Sequence, residues 1–241
     1  MESLEKKIQI AVDLYKSRKL LRAENVVRKL ISQHSKIAFL YNLLGLIITE
    51  NKKYDEAISL YQEGINIQPD NAIIYSNIGM IYKLKNENIK AESYYKKSIE
   101  LDKNLIEPKN NLGNLYLDLN KHDEAIVCFK DSIKIKSNSF ISYYNLGVTY
   151  MGTGEFKKAK DHLQKSIQLY PFFYKAHRAL SRILKYTKED SHFKILKKIY
   201  VKKNINSIDK TEIAFALGKA YEDTSNFSKA YKFISRFNDD Q

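Results

Sequence analysis

The stretch "YYNLGVTYMGTGEFKKA", residues 143–159, holds the position that decides the fold. Its apolar residues follow a helical period, yet Gly147 stands in the middle of that pattern, where glycine costs about 1 kcal/mol relative to alanine. Three other stretches repeat the arrangement: "YNLLGLIITENKKYDEA" from Tyr41, "YSNIGMIYKLKNENIKA" from Tyr75 and "KNNLGNLYLDLNKHDEA" from Lys109. Gly45, Gly79, Gly113 and Gly147 are spaced by 34 residues, and so are Ala57, Ala91, Ala125 and Ala159, and Leu44, Ile78, Leu112 and Leu146. Small residues held at one period mark places where two helices approach closely, with Gly in the first helix and Ala early in the second, and packing offsets the local cost of the glycine.

A fixed period between 20 and 50 residues specifies stacked units, each too small to bury its apolar face alone. With a period of 34 and the set Tyr41, Leu44, Gly45, Ile48, Tyr54, Ala57, Tyr61 and Pro69, the chain resembles the tetratricopeptide-repeat family. The resemblance implies an all-α fold, a right-handed superhelical α-solenoid of antiparallel helix pairs. The family's usual first-position Trp is Tyr41, Tyr75 and Tyr143 here, while Lys109 departs from the pattern; the chain has no Trp.

Extending the frame in both directions places Ala11 and Ala23 at the Gly and Ala positions of a divergent first repeat, 4–37. Full repeats are expected at 38–71, 72–105, 106–139 and 140–173. An atypical helix pair follows at 174–206, its second helix capped by Asp190 or Ser191. A last hairpin is expected at 207–238, where Gly218 lies 37 residues after Ser181, so three residues are inserted, within "VKKNINSIDK". No alternating strand pattern is present.

At 241 residues, 44% hydrophobic, the chain can bury a continuous core, but a quasi-one-dimensional stack offers no central cavity for small-molecule chemistry. One cysteine, Cys128, excludes an internal disulfide and reads as a buried structural thiol. The N-terminus is charged from its second residue, and the longest apolar run, "IAFLYNLLGLII", is too short to span a bilayer and carries Asn42, so no membrane partner and a cytoplasmic location are expected. The balance of 41 Lys+Arg against 28 Asp+Glu gives +13, yet the excess Lys is dispersed and no groove-reading or base-stacking motif accompanies it, so nucleic acid is not the expected partner.

Catalytic signatures are missing. His34, His122, His162, His177 and His192 show no metal-ligand spacing, and His122 and His162 are expected at the surface. There is no phosphate-binding G-x-x-x-x-G-K-[ST] loop and no G-x-S-x-G elbow, and "GTGEF" reads as a turn between paired helices. No cofactor or active site is expected.

Function is therefore expected on the concave face lined by the first helix of each repeat. Asn77, Asn111 and Asn145 stand there in register, with Asn42 one position early. An amide row offers donors and acceptors to a peptide backbone, and it resembles the asparagine ladder of O-linked N-acetylglucosamine transferases; read plainly, it is a solvated row of polar side chains. Asn114, Asn145 and Lys175 are similar to three members of the carboxylate clamp of chaperone adaptors, although Asn110 replaces the clamp's first Lys and Ala179 stands where its final Arg belongs. Lys175, Arg178, Arg182 and Lys185 share one helical face by their spacing. They would favour an acidic peptide, or form a solvated face.

The segment 174–237, above all "AHRALSR" and "FALGKAYED", is similar to the junction of bacterial proteins in which a tetratricopeptide array precedes a sulfotransferase domain. That resemblance implies either the repeat portion of a longer enzyme or a stand-alone descendant, since the phosphosulfate-binding loop is absent from this sequence. Two functional classes follow: a non-catalytic scaffold binding an extended, acidic polypeptide, and the repeat part of a sulfotransferase.

Overall fold

The computed structural model describes residues 3–202 and 205–235, and these form fourteen α-helices without a strand. They are α1 (Leu4–Lys16), α2 (Leu20–Gln33), α3 (Ala38–Glu50), α4 (Tyr54–Ile67), α5 (Ala72–Leu84), α6 (Asn88–Leu101), α7 (Ile106–Asp118), α8 (His122–Ile135), α9 (Phe140–Gly152), α10 (Phe156–Leu169), α11 (Tyr174–Ile183), α12 (Ser191–Tyr200), α13 (Ser207–Asp223) and α14 (Phe227–Ser235). The fold is an all-α solenoid whose helices group into two compact units, residues 1–115 and 116–241. The insertion expected in "VKKNINSIDK" falls partly on residues 203 and 204, and the end of the last hairpin on 236–238; both lie outside the described residues.

The glycines have a sharper reason than close approach of axes. A Cβ on Gly45 would come within 2.5 Å of the Tyr61 ring, and one on Gly79 within 2.8 Å of Tyr95. Each glycine thus opens a seat for the large side chain sixteen residues later, and both rings are buried, at 0% and 1% exposure. The alanines pack fully too: Ala57 and Ala91 are 0% exposed. In the first unit Ala57 and Tyr61 join Leu40, Leu44, Ile48, Ile74 and Ile78 in one core.

Two further devices tie helix pairs together. Arg18, Lys52, Asn86, Asn120 and Gly154, spaced by 34 residues, all have positive φ (58° to 77°), and Ser225 repeats the conformation in the last hairpin. At each of these turns, two residues past the helix end, the chain folds back: Lys53 N–H donates to Ile48 O and Lys52 N–H to Thr49 O, the paired bonds of a Schellman cap. The second device is a serine. Ser98 Oγ donates to Ala72 O at 2.6 Å and Ser166 Oγ to Phe140 O at 2.8 Å, so the end of a second helix is latched to the start of its own first helix.

The second unit departs from regularity after α10. α11 is 10 residues long, and the chain leaves it at Leu184 because the Tyr186 N–H is taken by Asp223 Oδ2 of α13 at 3.0 Å. α11 packs on α10 and α13, and α12 packs on α13, rather than α11 and α12 closing on each other as α3 and α4, α5 and α6, and α9 and α10 do. Asp190 is the N-cap of α12, but its carboxylate turns back to accept from Thr187 N–H at 2.6 Å instead of capping the helix.

Candidate functional site

The expected site residues distribute over both units. In the first, Asn77 is half-buried on α5 and its Nδ2 donates to Asn42 Oδ1 of α3 at 2.8 Å. One donor of the amide row is thereby spent on holding adjacent first helices in register. Asn111 and Asn114 are half-buried on α7, and Asn110 is buried at 8% exposure.

In the second unit Asn145 is buried at 8%, and its Nδ2 has no hydrogen-bond partner, while its backbone carbonyl accepts from Thr149 Oγ1 at 2.7 Å. Its side chain lies within the helix packing instead of standing open to solvent, as the register pattern implied. Lys185 also departs from expectation. It lies beyond the end of α11, and its Nζ pairs with Asp223 at 3.4 Å. Burial pushes the Asp223 carboxyl up, but the hydrogen bond from Lys219, the Tyr186 N–H and the charges of Lys219 and Lys185 together hold it below the usual range.

Lys175, Arg178 and Arg182 do share a face. Together with Tyr144, Val148 and Met151 of α9 and Glu212 of α13 they line a cavity of about 390 Å³. Arg178 is fixed twice: its guanidinium lies 4.4 Å over the Phe215 ring and donates to Glu212 at 3.2 Å. Lys175 and Arg182 are exposed and have no acidic partner among the described residues. Burial raises the Tyr144 hydroxyl pKa and the nearby Glu212 carboxylate raises it further, while Arg178 and Arg182 pull it down. Tyr144 and Arg178 occupy one frame position, three residues before Gly147 and Ser181; on α13 the three-residue insertion puts Phe215 at that position, three residues before Gly218, and Glu212 one turn earlier.

The sequence offered no sign of a histidine pair with all four ring nitrogens partnered. His177, 0% exposed, lies edge to edge with His192, the ring planes 4° apart and the centroids 5.2 Å apart. Their facing nitrogens, Nδ1 of His177 and Nε2 of His192, are 3.0 Å apart; His177 Nε2 is 3.0 Å from Pro171 O, and His192 Nδ1 is 2.6 Å from the Tyr186 hydroxyl. Pro171 O only accepts, so His177 donates from Nε2. With both rings neutral, His192 then donates to His177, and Tyr186 donates to His192. Burial lowers both histidine pKa values, and His177 lowers that of His192 further, to about 3.

The other histidines correct the surface expectation. His162 is half-buried and stacks on Tyr150 at 5.5 Å, with burial lowering its pKa, because it sits on the inner side of α10. His122, half-buried at the start of α8, has a buried, unpartnered Nδ1 close to where a side chain on Gly152 would stand. Cys128, expected to be buried, is half-buried. Among the described residues no group of three or more His, Cys, Asp or Glu could hold a metal ion, and no helix is long and apolar enough to cross a membrane.

Comparison with known proteins places this architecture. A model described as TPR repeat matches residues 45–86 and 113–154, and models described as Tetratricopeptide repeat match 72–105 and 140–173, together about half the chain. The chain belongs to the tetratricopeptide-repeat family. Solved structures agree on the fold. PilF from Pseudomonas aeruginosa is 16% identical with a TM-score of 0.66, covering 85% of this chain and 93% of that one. A tetratricopeptide repeat protein from Parabacteroides merdae is 16% identical with a TM-score of 0.66, over 98% and 92%. YrrB, described as a TPR protein with an unusual peptide-binding site, is 24% identical with a TM-score of 0.53, over 72% and 89%. No curated protein matches the chain.

Proposed function

We propose that the chain is a non-catalytic interaction module that receives an extended polypeptide on the first-helix face of residues 116–241. One observation carries this reading: the cavity in which an apolar row, Tyr144, Val148 and Met151, faces a cationic row, Lys175, Arg178 and Arg182. Apolar side chains supply contact area, and cations placed along one edge select acidic partners and speed their encounter. The unusual peptide-binding site described for YrrB supports the suitability of this fold for such a role.

A peptide array probed with the purified chain tests this. Selective capture of a subset of peptides is expected, weakened by high salt and reduced about tenfold or more by the Lys175→Glu/Arg182→Glu double variant at unchanged helicity. Capture insensitive to both changes would remove the cavity from the account. The alternative, the repeat part of a sulfotransferase, rests on the resemblance of residues 174–237 alone; coding sequence downstream for a G-x-P-R-S-G-T-like loop would favour it.

A further inference from the structure

We infer that the α9–α11–α13 trench selects a segment carrying two acidic residues three positions apart, with neutral residues between them and apolar side chains facing α9; this rests on the reading of the cavity as a polypeptide receptor. The first step is the size of the occupant. Lys175 and Arg182 are seven residues apart on α11, which sets them about 10.5 Å apart on the same face. Tyr144 and Met151 span the same length on α9. A cavity of about 390 Å³ lies between the two rows over that length, and the proposed occupant runs along it as an extended chain.

The second step is the spacing. In polyproline II geometry, residues i and i+3 project to one side about 9.3 Å apart, close to the separation of the two cations. A β-strand offers same-side residues about 6.8 Å or about 13.6 Å apart, a poorer match to both. The third step is the middle of the trench. Arg178 stands between Lys175 and Arg182, but it is paired with Glu212 and stacked on Phe215. An acidic residue at the centre of the bound segment therefore meets an already neutralised cation with a carboxylate beside it, whereas acids at the two ends meet Lys175 and Arg182, which have no acidic partner among the described residues. The ion pair converts three basic residues into a two-point recogniser.

The test uses four labelled twelve-residue peptides, followed by fluorescence anisotropy with the full chain. Their cores are E-L-P-E-L, with acids three apart, E-P-E-L-L, with acids two apart, E-L-L-P-L, with one acid, and the neutral Q-L-P-Q-L. The first is expected to bind about fivefold more tightly than the second and about tenfold more tightly than the neutral peptide. Glu212→Gln, which releases Arg178, should bring the first two within about twofold of each other; Arg182→Glu should abolish the preference for acids. Equal binding of the first two peptides to the native chain overturns the spacing rule while leaving an acidic receptor. Equal binding of the neutral peptide overturns acid selection while leaving the polypeptide receptor. A single-stranded oligonucleotide that displaces every peptide equally well would assign the cations to non-selective anion binding and overturn the proposal. Absence of binding by all four peptides, with array capture intact, rejects this chemistry alone; loss of both rejects the receptor reading itself.

Discussion

The paired histidines show how one residue's neighbours set its chemistry. In the unfolded chain a histidine titrates near pH 6.5, whereas burial and the neighbouring His177 hold His192 near 3 and burial lowers His177 too. Between those values the unfolded chain binds protons that the folded chain refuses, so stability is complete above about pH 6.5 and falls as pH drops toward 3. Asp190 is the acidic group whose field opposes this, and it is outweighed. Chemical denaturation at pH 7.5 and pH 5.0 should show the unit of residues 116–241 losing about 2 kcal/mol from His192 alone. A His177→Leu/His192→Phe variant should lose that slope; the same slope in the variant would place the pH dependence elsewhere. None of this was legible in the sequence, because the two rings sit fifteen residues apart across an irregular loop and meet through tertiary packing alone. The Gly–aromatic seat was half legible. Gly45 and Tyr61 both announce themselves by period, but which side chain the glycine faces is a matter of packing direction.

Among elements, the turn inside each pair is the most repetitive and least uniform in composition. The left-handed position is filled by Arg18, Lys52, Asn86, Asn120, Gly154 and Ser225. Asn and Gly tolerate that conformation, while Arg, Lys and Ser carry a Cβ penalty of about 1 kcal/mol. Lys52→Gly should therefore raise stability by about 1 kcal/mol in thermal denaturation, and Gly154→Lys should lower it by a similar amount; no change in either would mean that the turns are held by the flanking helices rather than by their own geometry. In sequence "GTGEF" was readable as a turn because its glycines advertise it, whereas "ENKKYDE" hides the same conformation behind lysines. The end of α11 was not readable either. Spacing alone carries Lys185 onto the helix face, and only Asp223, 37 residues after Tyr186, shows why the helix stops.

Across the whole molecule, the period of 34 gave access to the fold because each repeat buries the same small and aromatic positions, and residues that recur for packing recur in the text of the sequence. The binding face has no such redundancy. Lys175, Arg178 and Arg182 were visible as a stripe, but Tyr144, at the same frame position one repeat before Arg178, and Glu212 of α13 turn that stripe into a cavity with a neutral centre. Asn145 shows the converse: it recurs in register with Asn77 and Asn111, yet it is buried in packing. The central claim is that polypeptides bind the α9–α11–α13 face. Its most direct measurement places a photo-crosslinking residue at Val148, and in separate variants at the exposed Leu21 and Ile89, and irradiates each with an array-selected peptide. Crosslinking from position 148 that is lost on adding Lys175→Glu/Arg182→Glu, with none from positions 21 and 89, is the expected result; equal crosslinking from all three, or from 21 or 89 alone, would contradict the account.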